Sequence, residues 1–248
     1  MNYLADKPKV CWDAGHGGYD PGAVGNGLHE ADLTLDIVMR GKPLAEYNGI
    51  TVVLTRNGNY APGHLEGNVN AELGERCRIA NANKVDLMLS THINAGGGTG
   101  QEILVQGAGG KAQVCADTIL PFLVSAGAWY NRGVKVQNVE VLRDTNMPAI
   151  LTESGFIDSV SDTNRLKDPN FRQALAVAHV KGMCAYFGLT YKTKGVISVN
   201  AVTTPVATKP VVADPDVYLS VRVRASKANA LIAKIIADGF ACKALPLA

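Results

Sequence analysis

No segment of this chain offers the roughly 20 consecutive apolar residues that a membrane-spanning helix requires. Its start, Met1-Asn2-Tyr3-Leu4-Ala5-Asp6-Lys7-Pro8, lacks a basic stretch followed by an apolar one. A soluble protein, cytoplasmic at synthesis and without a membrane partner, is the expectation. Cysteine is scarce and unpatterned: Cys11, Cys77, Cys115, Cys184 and Cys242 are odd in number and contain no C-x-x-C pair. That speaks against a disulfide framework and against a thiolate zinc knuckle, and for buried reduced thiols. The glycines of Gly107–Gly110 are not followed by the Lys-Ser/Thr of a phosphate-binding loop. Net charge is only +2, but it is unevenly spread. From Tyr191 onward eight Lys and Arg face three Asp, a net +5, which leaves −3 on the remainder. A basic tail on a mildly acidic body fits attraction to a polyanion, a wall polymer or a nucleic acid; a solvated surface that only aids solubility is the plain alternative.

What is present is enough for a full α/β core: 248 residues, 47% of them hydrophobic, suit one substantial domain and an accessory piece. Strand signals fall at Lys9 to Asp13, Ile50 to Thr55, Asp86 to His92, Gln101 to Val105, Gly133 to Val136 and Ala149 to Glu153. Helical periodicity lies between them. Leu33, Ile37, Val38 and Leu44 mark one helix and Leu73, Cys77, Ile79 and Ala80 another, while Ala112 to Ser125 and Asn170 to Phe187 are longer candidates, the last closing at Gly188. Strands alternating with helices predict an α/β fold, a twisted, mostly parallel sheet with helices on both faces. Polar residues at the carboxyl ends of such strands project into a shared crevice.

A boundary follows at about residue 190. Residues 191–215 are rich in Thr, Pro and Val without helical period and read as a linker. Residues 216–248 read as a small C-terminal β-α-β module: Val217, Leu219, Val221 and Val223 alternate as a strand, Ser226 caps a helix that closes at Gly239, and Phe240 to Leu245 form a last strand. At about 33 residues it is below the size at which one core usually suffices, so it is expected to pair, dock or complete a larger unit.

The most informative residues are His16, Glu30, His92 and Glu153. Three of the four end short apolar runs: Val10 to His16, Val85 to His92 and Ala149 to Glu153; Glu30 opens the first helix. Two imidazoles and a carboxylate are a zinc-ligand set that leaves a fourth position for water. They lie far apart in sequence, so no single helical turn could present them. Gly15, Gly17 and Gly18 let the backbone turn sharply beside His16, and the Glu30 carboxylate can lean back toward it. A histidine at a strand end ordinarily serves as a hydrogen-bonded structural group; two of them with Glu30 and the glycines favour ligation. His29 competes with Glu30 on paper but reads as a rim residue, His64 and His179 as structural or solvent-facing, and Arg56 and Arg76 as pins for loops or helix ends.

The runs Asp13-Ala14-Gly15-His16-Gly17-Gly18, Glu30, Thr55-Arg56, Arg76 with Ala80-Asn81, Ser90-Thr91-His92-Ile93-Asn94 and Pro148 to Phe156 resemble the zinc-dependent N-acetylmuramoyl-L-alanine amidases of the type 3 class, collinearly over Lys9 to Leu189. The resemblance implies a six-stranded α/β fold over residues 1–190 and cleavage of the amide between N-acetylmuramic acid and L-alanine in peptidoglycan. It implies Zn2+ as cofactor, held by His16, Glu30 and His92, and Glu153 as the catalytic carboxylate that takes a proton from the attacking water and passes it to the leaving amine. There are departures: Ala14 where the family usually has Pro, Ile93 where a small residue is frequent, Asp158 where Asn is usual. None removes a ligand.

The expected protein is therefore a wall-lytic enzyme, a phage endolysin or a bacterial autolysin, whose partners are peptidoglycan and, through the basic tail, anionic wall polymers rather than nucleic acid. The tail resembles half of a sporulation-related wall-binding repeat over Ser226 to Ala230 and Gly239-Phe240, which motivates a homodimer through residues 216–248. A zinc carboxypeptidase acting on the stem peptide and an inactive peptidoglycan-binding protein are the alternatives.

Overall fold

The computed structural model describes residues 7–64, 67–127 and 129–193. The tail module, and the linker beyond residue 193, lie outside the described residues. The elements run β1 Lys9–Ala14, a small hairpin of β2 Val24–Gly25 and β3 Leu28–His29, α1 Glu30–Tyr47, β4 Thr51–Leu54, a 3-10 turn Pro62–His64 and α2 Val69–Ala82. They continue with β5 Leu87–Asn94, β6 Gln101–Val105, α3 Gly110–Gly127, β7 Asn131–Val136, α4 Glu140–Arg143, β8 Ala149–Phe156, α5 Val160–Leu166 and α6 Pro169–Tyr186. All six strand signals of the sequence became strands of one sheet, in the order β4-β1-β5-β8-β6-β7.

Four of the five pairings are parallel; β6 and β8 meet antiparallel. The cause lies in the connection between β5 and β6. A parallel return needs a crossover of a dozen or more residues, and between Asn94 and Gln101 there are only six, three of them glycines with positive φ. β6 therefore starts at the end of the sheet where β5 stops and runs back.

Side chains alternate across the sheet with the period of two that strands impose. Val10, Trp12, Leu87, Leu89, Ile103 and Ile150 face α1, α3 and α6, where Ile119, Leu123 and Met183 complete one core. Cys11, Met88, Leu104 and Leu151 face the opposite way, onto Cys77 and Ala80 of α2 and Val141 of α4. Helices on both faces explain why the strands read as nearly continuous apolar runs. α6 starts as its sequence dictates: the Asp168 side chain accepts from Asn170 N, Pro169 needs no amide partner, and the exit turns at Gly188 with φ 68°. Among the described residues, Cys11, Cys77, Cys115 and Cys184 are buried free thiols, and burial pushes the Cys115 thiol up to about 12. No described helix is long and apolar enough to cross a membrane.

His179 is a core histidine. It is fully buried, with Nδ1 2.8 Å from Leu175 O and Nε2 3.1 Å from Thr152 Oγ1. Burial pushes its pKa down from 6.5 to about 4, so the ring is neutral in the fold. The unfolded chain takes up the proton first as pH falls, so this residue's stability is whole above about 6.5 and is lost progressively toward pH 4. The full span corresponds to on the order of 3 kcal/mol. Urea unfolding across this range should show that slope, and His179→Met should lack it; an unchanged slope in the variant would reject the assignment.

Candidate functional site

β1 ends at Ala14, inside the sheet between β4 and β5, and the next residues form the floor of the site. A Cβ on Gly15 would sit 2.3 Å from the His92 imidazole, so only glycine lets the two segments approach. His16 follows with φ 62°, a left-handed conformation that costs a side-chain-bearing residue about 1 kcal/mol. Two buried arginines hold it there. Arg76 donates from Nη2 to His16 O at 2.8 Å and from Nη1 to Ala14 O at 2.8 Å, while Arg56 donates to Ala14 O, Gly15 O and Ala31 O at 2.8 to 2.9 Å. Both therefore pin loops, as their sequence context implied.

Glu30 is the first residue of α1, where an acidic side chain meets the positive end of the helix. Its carboxylate turns inward, accepting from Ile93 N at Oε1 and from Ala23 N at Oε2, each at 3.0 Å. His92 lies on β5 in register with Glu153 on β8. Folding thus brings His16, Glu30 and His92 together, with donor atoms all within 4.8 Å of one another. His16 Nε2 is 3.2 Å and His92 Nδ1 2.9 Å from Glu30 Oε1. The other ring nitrogen of His16 is 2.7 Å from Asp20 Oδ2, which fixes the ring's orientation.

Burial would raise the Glu30 pKa, but its hydrogen bonds to His16 and His92 outweigh this and hold it far below the usual carboxylate range. Burial likewise works against the protonated form of His16, yet Glu30 and then Asp20 lift its pKa to about 9. A buried carboxylate flanked by two imidazoles has the donor chemistry of a divalent cation site. Two nitrogens and one oxygen suit zinc.

Glu153 stands apart from this network. Its Oε2 is buried without a hydrogen-bond partner. Burial first, then the charges of Glu30 and Glu102, raise its pKa well above the usual value. It is a buried carboxyl group of raised proton affinity in register with His92, with no hydrogen-bond partner on Oε2. The remaining histidines are elsewhere. His29 is exposed, 3.6 Å from Asp32, His64 stacks on Tyr60, and His179 is in the core.

Three features escaped the sequence reading. Asp20 was passed over, although a carboxylate four residues beyond His16 in a glycine-rich turn is a visible signal. Glu102 lies directly across from Glu153 in the antiparallel pair, and Arg132 and Lys135 of β7 both donate to it. No sequence signal marks these, because the register of β6 against β8 is a tertiary result.

A mixed α/β sheet carrying two histidines and two glutamates in one place, two of them on neighbouring strands and one in the turn after a third, defines a hydrolase of the amidase class. The family model described as Amidase_3, N-acetylmuramoyl-L-alanine amidase, matches residues 10–185, and the chain belongs to that family: it is an N-acetylmuramoyl-L-alanine amidase, acting on peptidoglycan. It is 40% identical over 184 residues to the sporulation-specific N-acetylmuramoyl-L-alanine amidase of Bacillus subtilis (strain 168), covering 73% of this chain and 69% of that protein. With the endolysin of Bacillus phage SPP1 it shares 38% over 197 residues, 75% of this chain and 69% of that one. Among solved structures, the catalytic domain of the amidase CwlV from Bacillus (Paenibacillus) polymyxa var. colistinus superposes with a TM-score of 0.67 at 28% identity, over 74% of this chain and 99% of that one.

Proposed function

We propose that this amidase is zinc-dependent, with His16, Glu30 and His92 holding the ion and Glu153 as the catalytic carboxylate, and that its turnover lyses the cell wall. The observation that carries this reading is the orphaned, buried Oε2 of Glu153 next to a converging His-Glu-His set. Bound zinc would supply a Lewis acid for the scissile carbonyl and the attacking water. The chain's own residues do the rest. Asp20 and the backbone amides of Ala23 and Ile93 keep the donor atoms oriented before the ion arrives. Glu153, with its raised proton affinity, accepts the proton of the attacking water and returns it to the nitrogen of L-alanine as the C–N bond breaks. The products are a lactyl carboxylate on the glycan and a free α-amine on the stem peptide.

Purified peptidoglycan digested by the zinc-loaded protein tests this. New L-alanine amino termini that disappear with chelator and return with zinc are expected. Release of a terminal D-amino acid instead would make it a carboxypeptidase, and intact walls with zinc bound would make it a wall-binding protein.

Residues 1–190 would form the catalytic domain, 191–215 the linker and 216–248 the wall-binding or self-association module, supported by the basic charge and short length of that last segment. A dimer mass by light scattering is expected from the full chain, falling to a monomer when it stops at residue 193; a monomer in both rejects the self-association.

A further inference from the structure

Toward β7 from Glu153 lies a cleft of about 640 Å³ that the chemistry described so far does not use. Its floor is Gly98, where a Cβ would sit 2.4 Å from the Phe156 ring. Its lining includes Tyr130, which is largely exposed, with Arg132, Asp158 and Ser161.

The two charged residues are each fixed from behind and open in front. Arg132 donates Nε to Glu102 Oε2 at 2.5 Å, and its guanidinium lies 4.8 Å from the Phe156 ring centroid, while its two Nη groups have no hydrogen-bond partner among the described residues. Lys135 Nζ shares the same Glu102 oxygen at 2.6 Å, so two cations meet one carboxylate and the net charge there is positive. Asp158 accepts the amides of Gly96 and Gly97 on Oδ2 at 2.8 and 2.7 Å, leaving Oδ1 without a partner. Those amides keep its pKa below the usual value, so it is ionised. Arg132 and Asp158 do not pair with each other.

A pocket for a simple anion would not include Asp158, and one for a simple amine would not include a free guanidinium fork. A guanidinium and a carboxylate lining one cleft, each anchored by its own contacts and not paired with the other, fit a group bearing both charges. Its place along the substrate follows from the sheet. Glu102 is opposite Glu153 and Arg132 is one strand further, so the cleft begins roughly 10 Å from the reacting carboxylate, two strand spacings away. Two residues of extended peptide beyond L-alanine span roughly 7 Å, which brings the side chain of the third stem residue into the cleft. That residue is a diamino acid, whose side chain ends either in an amine alone, as in lysine, or in an amino-carboxyl centre, as in diaminopimelate.

Building on the amidase reading, we propose that this cleft is the specificity site for the third stem residue and takes the zwitterionic end of diaminopimelate, Arg132 binding its carboxylate and Asp158 its ammonium group. Asp158 is also where the chain departs from the Asn its family resemblance leads one to expect.

The test uses the full-length protein, with calorimetric binding of the free tripeptides L-Ala-γ-D-Glu-diaminopimelate and L-Ala-γ-D-Glu-L-Lys, and kcat/KM on the N-acetylmuramoyl form of each. The diaminopimelate tripeptide should bind about tenfold tighter or better, the difference expected of one charge-assisted Arg–carboxylate pair. Arg132→Gln should erase that difference, and Asp158→Asn, which keeps an acceptor for the Gly96 and Gly97 amides, should weaken both tripeptides. Should Arg132→Gln fail to fold, Arg132→Lys, which keeps the charge but loses the fork, makes the same comparison. Equal binding of the two tripeptides overturns the proposal. So does an Arg132 variant that weakens both tripeptides and the dipeptide L-Ala-D-Glu alike, which would give the arginine to the second residue's carboxylate. A binding preference that persists while neither N-acetylmuramoyl substrate is cleaved supports the cleft assignment and rejects the amidase mechanism instead.

Discussion

Glu153→Gln should lower kcat by about 10³-fold while leaving the bound zinc unchanged. The side chain makes no hydrogen bond with Oε2 and holds no loop, so its loss removes proton transfer and little else. Zinc stoichiometry from metal analysis should stay at that of the unsubstituted protein, since the proposed ligands are His16, Glu30 and His92. Stability should behave unusually for an active-site substitution. With its pKa raised by burial and by Glu30 and Glu102, Glu153 binds a proton in the metal-free fold that the unfolded chain gives up near pH 4.5. The metal-free protein therefore loses stability as pH rises above that value, and the Gln variant, which cannot ionise, does not. The variant should thus be no less stable at neutral pH. Activity within tenfold of the unsubstituted protein, or loss of zinc along with turnover, would move the catalytic role elsewhere.

How this site could be read before folding, and where the reading stopped, has a physical explanation. His92 and Glu153 are the first residues of β5 and β8 that are not fully buried, after runs of buried positions kept apolar or small because both faces of the sheet are covered. His16 is marked by its glycines, one of which is forced by the closeness of the His92 ring. The direction of β6 was also encoded, in the absence of any helix between Asn94 and Gln101, although a mostly parallel sheet was the stated expectation and remains a fair description. What the sequence could not disclose is lateral. That Glu102 faces Glu153, that Arg132 and Lys135 reach it from the next strand, and that the hairpin of β2 and β3 rests on Ile157 through Asn26 depend on which strands become neighbours. The short helices α4 and α5 escaped because four and seven residues are too few to show a helical period.

Arg76→Met should be the most damaging substitution for the fold among those that leave all four proposed site residues in place. Arg76 is 2% exposed and Asp13 0%, and they meet at 2.6 Å. Asp13 also accepts from Thr55 Oγ1 at 2.5 Å and Ser90 Oγ at 2.6 Å, and Arg76 binds Glu72 as well. Burial would raise the Asp13 pKa, but Arg76, Ser90 and Thr55 together bring it down to about 2. Removing the guanidinium strands two buried carboxylates and leaves the Ala14 carbonyl one donor and the His16 carbonyl none. Breaking a buried pair in this way costs about 3 to 5 kcal/mol, more than half the stability of many domains. The pH dependence carries the diagnosis. In the unsubstituted protein the depressed pKa of Asp13 contributes stability above about pH 4, lost as pH falls toward 2. In Arg76→Met the uncompensated Asp13 should prefer to be protonated, so the deficit against the unsubstituted protein should shrink on acidification. Asp13→Asn combined with Arg76→Met should recover part of the loss at neutral pH, since a neutral amide can still use Thr55 and Ser90. Denaturant unfolding at pH 7 and pH 4 measures all three, and a deficit independent of pH would assign Arg76 a packing role in place of an electrostatic one. Because the same guanidinium holds the His16 carbonyl at the strained turn, zinc affinity should fall along with stability in Arg76→Met, and the double substitution, which restores charge balance without restoring that donor, should recover the stability but not the affinity.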